Sequence, residues 1–143
     1  FATGSDKLKT KFKEILNDFT PRYIKILTGD QFKDSIKEIR IEGHTSTFWK
    51  NSSSSLDGYF KNMTLSQART RTTLEFIFLL PETVENEEWL KTRLTANGLS
   101  SSRPITNKNL KIDEEASQRV EFRIVTNADE KLETIAKSIL KIE

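Results

Sequence analysis

With 143 residues, and 23 lysines and arginines against 21 aspartates and glutamates, the chain is long enough for one domain with its own core. Its net charge of +2 is too small and too evenly mixed for a nucleic-acid surface, so no nucleic-acid partner is expected. Zero cysteines exclude disulfides and thiolate metal sites, and a single histidine excludes a two-histidine metal centre.

No apolar run is long enough to cross a bilayer, and no basic, apolar, small-residue leader opens the chain. Phe1 stands where a complete chain would carry Met. Residues 1–143 are therefore expected to be a single domain cut from a longer protein, with any membrane anchor upstream.

Phe1 to Ser5 is expected to end a strand and turn through Gly4 into a helix. Leu8, Phe12, Ile15, Leu16 and Phe19 follow at helical spacing, and Lys7, Lys9, Lys11 and Lys13 fall mostly on the wet face. Pro21 predicts a break, with a second helical piece through Tyr23, Ile24, Ile26 and Leu27 to Gly29. The alternation Ile39-Arg40-Ile41-Glu42 predicts a half-buried strand, closed by Gly43-His44-Thr45. Asn51 to Ser55 is a polar loop flanked by Phe48, Trp49, Tyr59 and Phe60, aromatics suited either to stacking on sugars or to packing the loop down.

Thr64 and Gln67 form a capping-box pattern, which predicts a helix starting at Leu65 and stopped by Pro81. Leu65, Ala68, Thr72, Phe76 and Leu79 would be its inward face. Arg69 would then lie one turn inside the helix start, where free N–H groups and a guanidinium suit an anion such as a carboxylate. The plainer alternative is an arginine bent to solvent or paired with an acid. Pro81 to Glu88 is an acidic surface insertion, Leu94 to Ala96 a short strand ending at Asn97-Gly98, and Leu99 to Arg103 and Thr106 to Ser117 are polar loops. The sequence from Arg119 to Ile124 alternates strictly and is the clearest strand. A last helix carries Leu132, Ile135, Ala136, Ile139 and Leu140 on one face. The order gives a two-layer α/β sandwich with a mixed sheet.

His44 would have to serve any hydrolytic triad, with Ser46 or Ser66 as nucleophile and Glu42 or Asp57 as the orienting acid. No Gly-x-Ser-x-Gly elbow supports one. A histidine after a strand more often makes fixed hydrogen bonds that shape the turn, so no catalytic residue is assigned. Glu85 to Glu88 and Glu114-Glu115 lack the spacing of a calcium loop and are taken as solvated surface. No metal or cofactor is expected.

Asn62-x-x-Leu65-Ser66-x-x-Arg69, preceded by the strand Ile39 to Thr45, resembles the OmpA/MotB-like peptidoglycan-binding domain. Phe1 to Ser5 with Leu8, Gly98 to Pro104-Ile105, and Gln118-Arg119-Val120-Glu121-Phe122 match further family motifs in order, so the resemblance covers nearly the whole chain. It implies an OmpA-like α/β (α+β) sandwich, a mixed four-stranded sheet with helices packed on one face. It also implies non-catalytic binding of the peptidoglycan stem peptide at its diaminopimelate end, in the periplasm. The protein anchored is either an inner-membrane stator subunit, including MotB-like subunits of antiphage defence systems such as Zorya, or an outer-membrane protein. A homodimer is implied for the full-length stator type. The rival class is an OmpA-like dimerisation or protein-interaction module without cell-wall binding.

Carried over by position, the resemblance assigns ligand binding to Thr45, Ser46, Asn62, Leu65, Ser66, Arg69 and Arg119. Arg69 would pair with a ligand carboxylate. The aspartate that meets the ligand's ammonium in the family falls on Ser46, which has no charge. A serine hydroxyl still accepts a hydrogen bond, and Glu42 or Asp57 are the candidate substitutes for the charge. Phe48-Trp49 also replaces the family's short glycine-containing turn.

Overall fold

The computed structural model describes residues 1–140. Helix α1 (Thr10–Leu27) precedes strand β1 (Ile36–Gly43), and helix α2 (Ser55–Phe78) leads through a 3-10 turn into the short α3 (Glu87–Lys91). Strand β2 (Leu94–Gly98), the hairpin β3 (Ile105–Thr106) and β4 (Ile112–Asp113), and helix α4 (Glu114–Ser117) follow. Strand β5 (Val120–Thr126) and helix α5 (Ala128–Leu140) complete the order.

The main sheet is mixed, in the order β2-β1-β5. β1 runs parallel to β2, with Ile39 opposite Leu94, and antiparallel to β5, with Ile41 opposite Phe122. It therefore has three strands among the described residues rather than four. Phe1 to Ser5 makes a turn instead of a strand, closed by the Ser5 N–H on the Ala2 carbonyl at 3.1 Å.

One face of the sheet holds the core, with Ile39 and Ile41 of β1 and Leu94 of β2 against Ile24 and Leu27 of α1 and Ile77 of α2. Pro21 does not break α1. The helix runs through it and buries Leu16, Thr20, Ile24 and Leu27 as one stripe. The aromatic rings of Phe19 and Tyr23 stack at 4.7 Å, and Phe19 meets Phe122 of β5 at 5.2 Å.

α2 starts ten residues earlier than the Thr64 pattern predicts. Its cap is Ser54, whose side chain accepts the Asp57 N–H, while the Asp57 carboxylate accepts the Ser53 N–H at 2.8 Å. Thr64 sits mid-helix and its hydroxyl donates back to the Phe60 carbonyl. The inward stripe also differs from the predicted one: Asn62, Ser66, Arg69, Thr70, Thr73 and Ile77 are buried, whereas Leu79 is exposed. Two glycines explain this small, polar stripe. A Cβ on Gly43 would lie 2.8 Å from the Ser66 carbonyl oxygen, and one on Gly98 would lie 2.5 Å from the Gln67 nitrogen. The strand ends thus let the helix backbone come almost into contact with the sheet. Thr70 and Thr73 satisfy their hydroxyls on the Ser66 and Arg69 carbonyls, so their burial leaves no orphaned donor.

Leu132, Ile135 and Ile139 share one side of α5 and are exposed. The side chain of Leu140 lies outside the described ones.

Candidate functional site: a cavity between the β1 end and α2

β1 ends in Gly43 and passes into His44, Thr45 and Ser46, and the Ser46 carbonyl meets α2. Thr45 is buried, and its N–H donates to the Ser100 carbonyl at 2.9 Å. The buried Asn62 amide donates to the Ser46 carbonyl at 3.1 Å and reaches the Phe48 carbonyl at 3.5 Å, so α2 fixes the loop that follows the strand. Ser66 anchors the other neighbouring loop. Its hydroxyl donates to the Met63 carbonyl and accepts the Ser100 N–H at 3.0 Å.

A cavity of about 500 Å³ opens beside these contacts. Thr45, Ser46, Asn62, Leu65 and Arg69 line it, so five of the seven predicted site residues meet in one place. Thr3, Gly4, Phe48, Trp49, Lys50, Glu114 and Gln118 complete the lining. Ser66 does not reach it and acts through Ser100, which it ties to α2 and whose carbonyl holds the Thr45 N–H. Arg119 lines a second cavity of about 300 Å³ with Phe1, Lys9, Lys11, Phe12, Ile15 and Val120. Arg69 and Gln118 form the partition common to both cavities.

Arg69 is neither at a helix start nor bent to solvent, and no acid pairs with it at salt-bridge distance among the described residues. It is 5% exposed, deep in α2. Its Nε–H donates to the Ser5 carbonyl at 2.9 Å, Nη2 donates to the Ala2 carbonyl at 3.0 Å, and the guanidinium lies 5.1 Å from the Phe1 ring centre. Burial pulls its pKa below the ordinary arginine value, with Asp6 opposing. A guanidinium offers five N–H groups, so about three remain after these two bonds for a group in either cavity.

Neither predicted substitute for the missing aspartate lines the cavity. Asp57 caps α2 and pairs with Lys61 at 2.8 Å. Glu42 projects from the opposite face of the sheet, fully buried, toward Arg40, Arg103 and Arg123 at 3.6, 3.5 and 3.2 Å. The carboxylate present in the lining is Glu114, a correction to the solvated surface position expected for it. It accepts the Thr47 N–H at 2.7 Å and the Thr47 hydroxyl on its other oxygen. These partners are 67 residues apart, so no local spacing could have revealed the contact.

His44 is 2% exposed, and neither ring nitrogen has a hydrogen-bond partner among the described residues. Its Nε2 lies 3.7 Å from Glu42 and 3.8 Å from Glu121, so the fixed side-chain hydrogen bonds expected of it are not made. Burial, followed by the charge of Arg119, lowers its pKa from the ordinary value of 6.5. Glu121 is held below the ordinary glutamate range, chiefly by the hydrogen bond from Arg119 at 2.5 Å. Glu42, His44 and Glu121 have ligand atoms within 4.8 Å of one another. Four arginines face these two carboxylates, however, so a divalent cation would enter a surplus of positive charge. The arrangement is an ion-pair network. Ser46 donates to the Phe48 carbonyl and Ser66 to that of Met63, so no serine–histidine pair forms among the described residues.

The chain is 46% identical over 129 residues to the Zorya protein ZorB of Escherichia coli, a match covering 90% of this chain and 54% of that protein. It thus spans about half the length of that curated relative. No family model matches. The fold is similar to the C-terminal domain of Helicobacter pylori MotB, with a TM-score of 0.56 at 16% identity over 94% of this chain and 88% of that one. It is also similar to the cell wall anchor of the T6SS from Pseudomonas aeruginosa, with a TM-score of 0.52 at 18% identity over 88% and 74% of the two chains. No helix among the described residues is long and apolar enough to cross a membrane. The chain is thus similar in sequence to the Zorya protein ZorB and shares its fold with the C-terminal domain of MotB and the T6SS cell wall anchor.

Proposed function

We propose that the chain is a non-catalytic cell-wall-binding domain that holds the peptidoglycan stem peptide at its diaminopimelate end. In the periplasm it would anchor a larger, membrane-bound protein of the stator type. The observation that carries this reading is the meeting of Thr45, Ser46, Asn62, Leu65 and Arg69 around one cavity of about 500 Å³. The kinship with ZorB and the fold shared with a T6SS cell wall anchor support it. Arg69 would offer its remaining donors to a ligand carboxylate, a geometry suited to a guanidinium fork. Ser66 would hold the site through Ser100, which in turn fixes Thr45, and Arg119 would act from the adjoining cavity.

Purified sacculi incubated with the domain should pellet it without release of soluble muropeptides. Released fragments would overturn the non-catalytic part, and a domain left wholly in the supernatant would overturn the binding part.

The exposed Leu132, Ile135 and Ile139 favour a second role, self-association of the whole protein as a homodimer. Sedimentation of the full-length protein as a monomer would overturn it. A protein-interaction module that has lost wall binding would keep this face and fail the sacculus experiment.

A further inference from the structure

We infer that Glu114 supplies the carboxylate that takes the ligand's primary amine, a specificity-determining role for which neither its own neighbourhood in sequence nor the Ser46 position gives a sign. The inference rests on the wall-binding reading above and assigns one end of the ligand to one side chain.

Among the described residues lining the cavity, Glu114 is the only acid, set against the cations Arg69 and Lys50. A cavity with one anion and a buried guanidinium matches a zwitterionic end, an ammonium beside a carboxylate, better than a neutral sugar. Glu114 is also held in place rather than left to solvent. The Thr47 N–H donates to one oxygen at 2.7 Å and the Thr47 hydroxyl donates to the other. Thr47 lies between Ser46 and Phe48, the two residues whose carbonyls Asn62 engages. The α2 residue that shapes the cavity therefore also positions the donor that orients the acid.

The far side is equally fixed. Asp113 caps α4 by accepting the Ala116 N–H at 2.9 Å. The buried Ser117 hydroxyl donates to the Asp113 carbonyl at 2.6 Å and accepts the Ile105 N–H at 2.9 Å. A carboxylate has about four lone-pair sites, and Thr47 fills two, leaving about two for an ammonium that brings three donors. Such a contact is charge-assisted and formed on a preoriented acid, so it discriminates strongly against a ligand lacking the amine.

The test uses the 143-residue chain and two probes. One is a muropeptide with a tripeptide stem ending in diaminopimelate with its free amine, and the other is the same compound acetylated on that amine. Wild-type protein should prefer the free amine. Glu114→Gln, which keeps an acceptor for Thr47 but loses the charge, should weaken binding of the free amine about tenfold or more. It should leave the acetylated probe unchanged. Circular dichroism confirms that the variant is folded. Unchanged binding of the free amine by Glu114→Gln, or equal losses for both probes, would overturn the inference while leaving wall binding intact. Failure of the wild type to bind either probe, together with failure to pellet with sacculi, would instead overturn the wall-binding reading and the inference with it.

Discussion

Arg69 grips the Ser5 carbonyl through its Nε–H at 2.9 Å, so a side chain at the centre of α2 also fastens the N-terminal segment to the domain. This contact gives the arginine two tasks, one in the fold and one in the proposed site, which different measurements separate. Arg69→Ala removes two charge-assisted hydrogen bonds and should lower the free energy of unfolding by about 2–4 kcal/mol in a urea titration. Protease sensitivity should rise first within residues 1–8, because Ala2 and Ser5 lose their partner. Arg69→Lys keeps the charge without the fork, and should recover part of the stability but little of the sacculus binding. Retention of wild-type binding by folded Arg69→Ala would remove Arg69 from the site.

Gly98 makes a prediction about packing. An added Cβ would lie 2.4 Å from Gln67 Cγ and 2.5 Å from the Gln67 nitrogen, so backbone as well as side chain must move. Gly98→Ala should cost about 1–3 kcal/mol, as overpacked sites do, and should displace α2 from the β1 end. Sacculus binding should fall with it, since Asn62 and Arg69 ride on that helix. A variant with wild-type thermal stability would show that the helix does not rest on Gly98.

Much of this was legible in the sequence because each signal was local. The strands of Ile39 to Glu42 and Val120 to Ile124 alternate, and Asn62, Leu65 and Arg69 lie on one side of any helix that includes them. What escaped depended on partners distant in sequence. Phe1 to Ser5 forms no strand because Arg69 takes the Ala2 and Ser5 carbonyls. Thr64 and Gln67 match a cap, yet the residues before them are already helical, and Ser54 with Asp57 makes the real one. The buried stripe of α2 is polar, so hydrophobic periodicity pointed to the wrong face; the glycines that make room for it lie on two other elements. Pro21 stays in α1, whose stripe from Leu16 to Leu27 is buried along its length.

The buried His44 predicts how stability depends on pH. Burial and Arg119 lower its folded-state pKa, while Glu42 and Glu121 partly oppose them and Arg103 adds to the lowering. The unfolded chain, with the ordinary value of 6.5, therefore binds the proton first on acidification. Stability from His44 is complete above pH 6.5 and is lost as the pH falls toward the folded-state pKa, with a slope of at most about 1.4 kcal/mol per pH unit. Glu121, also lowered, contributes above the ordinary glutamate value of 4.5 and loses its part at still lower pH. Thermal melts should be level above neutrality and decline from about pH 6.5 in the wild type. In His44→Gln the decline should begin only in the carboxylate range. Identical profiles for the two proteins would exclude His44 as the source.

Moving the anion to Ser46, the neighbour of the Thr47 that holds Glu114, tests the assignment of Glu114 from a second position in the lining. Ser46 and Glu114 line the same cavity, and the Ser46 hydroxyl donates to the Phe48 carbonyl rather than to any acid. Ser46→Asp alone adds a second carboxylate beside the first, and mutual repulsion raises the pKa of one of them. The gain in affinity for the free-amine muropeptide should accordingly stay below about fivefold, within the range of a partly exposed ion pair. In the Glu114→Gln background the same substitution restores a lone anion facing the ligand and should recover about tenfold of the lost affinity. Both gains should shrink at high salt, as expected for charges open to solvent. A double variant as weak as Glu114→Gln would mean that the amine is not held between these two positions.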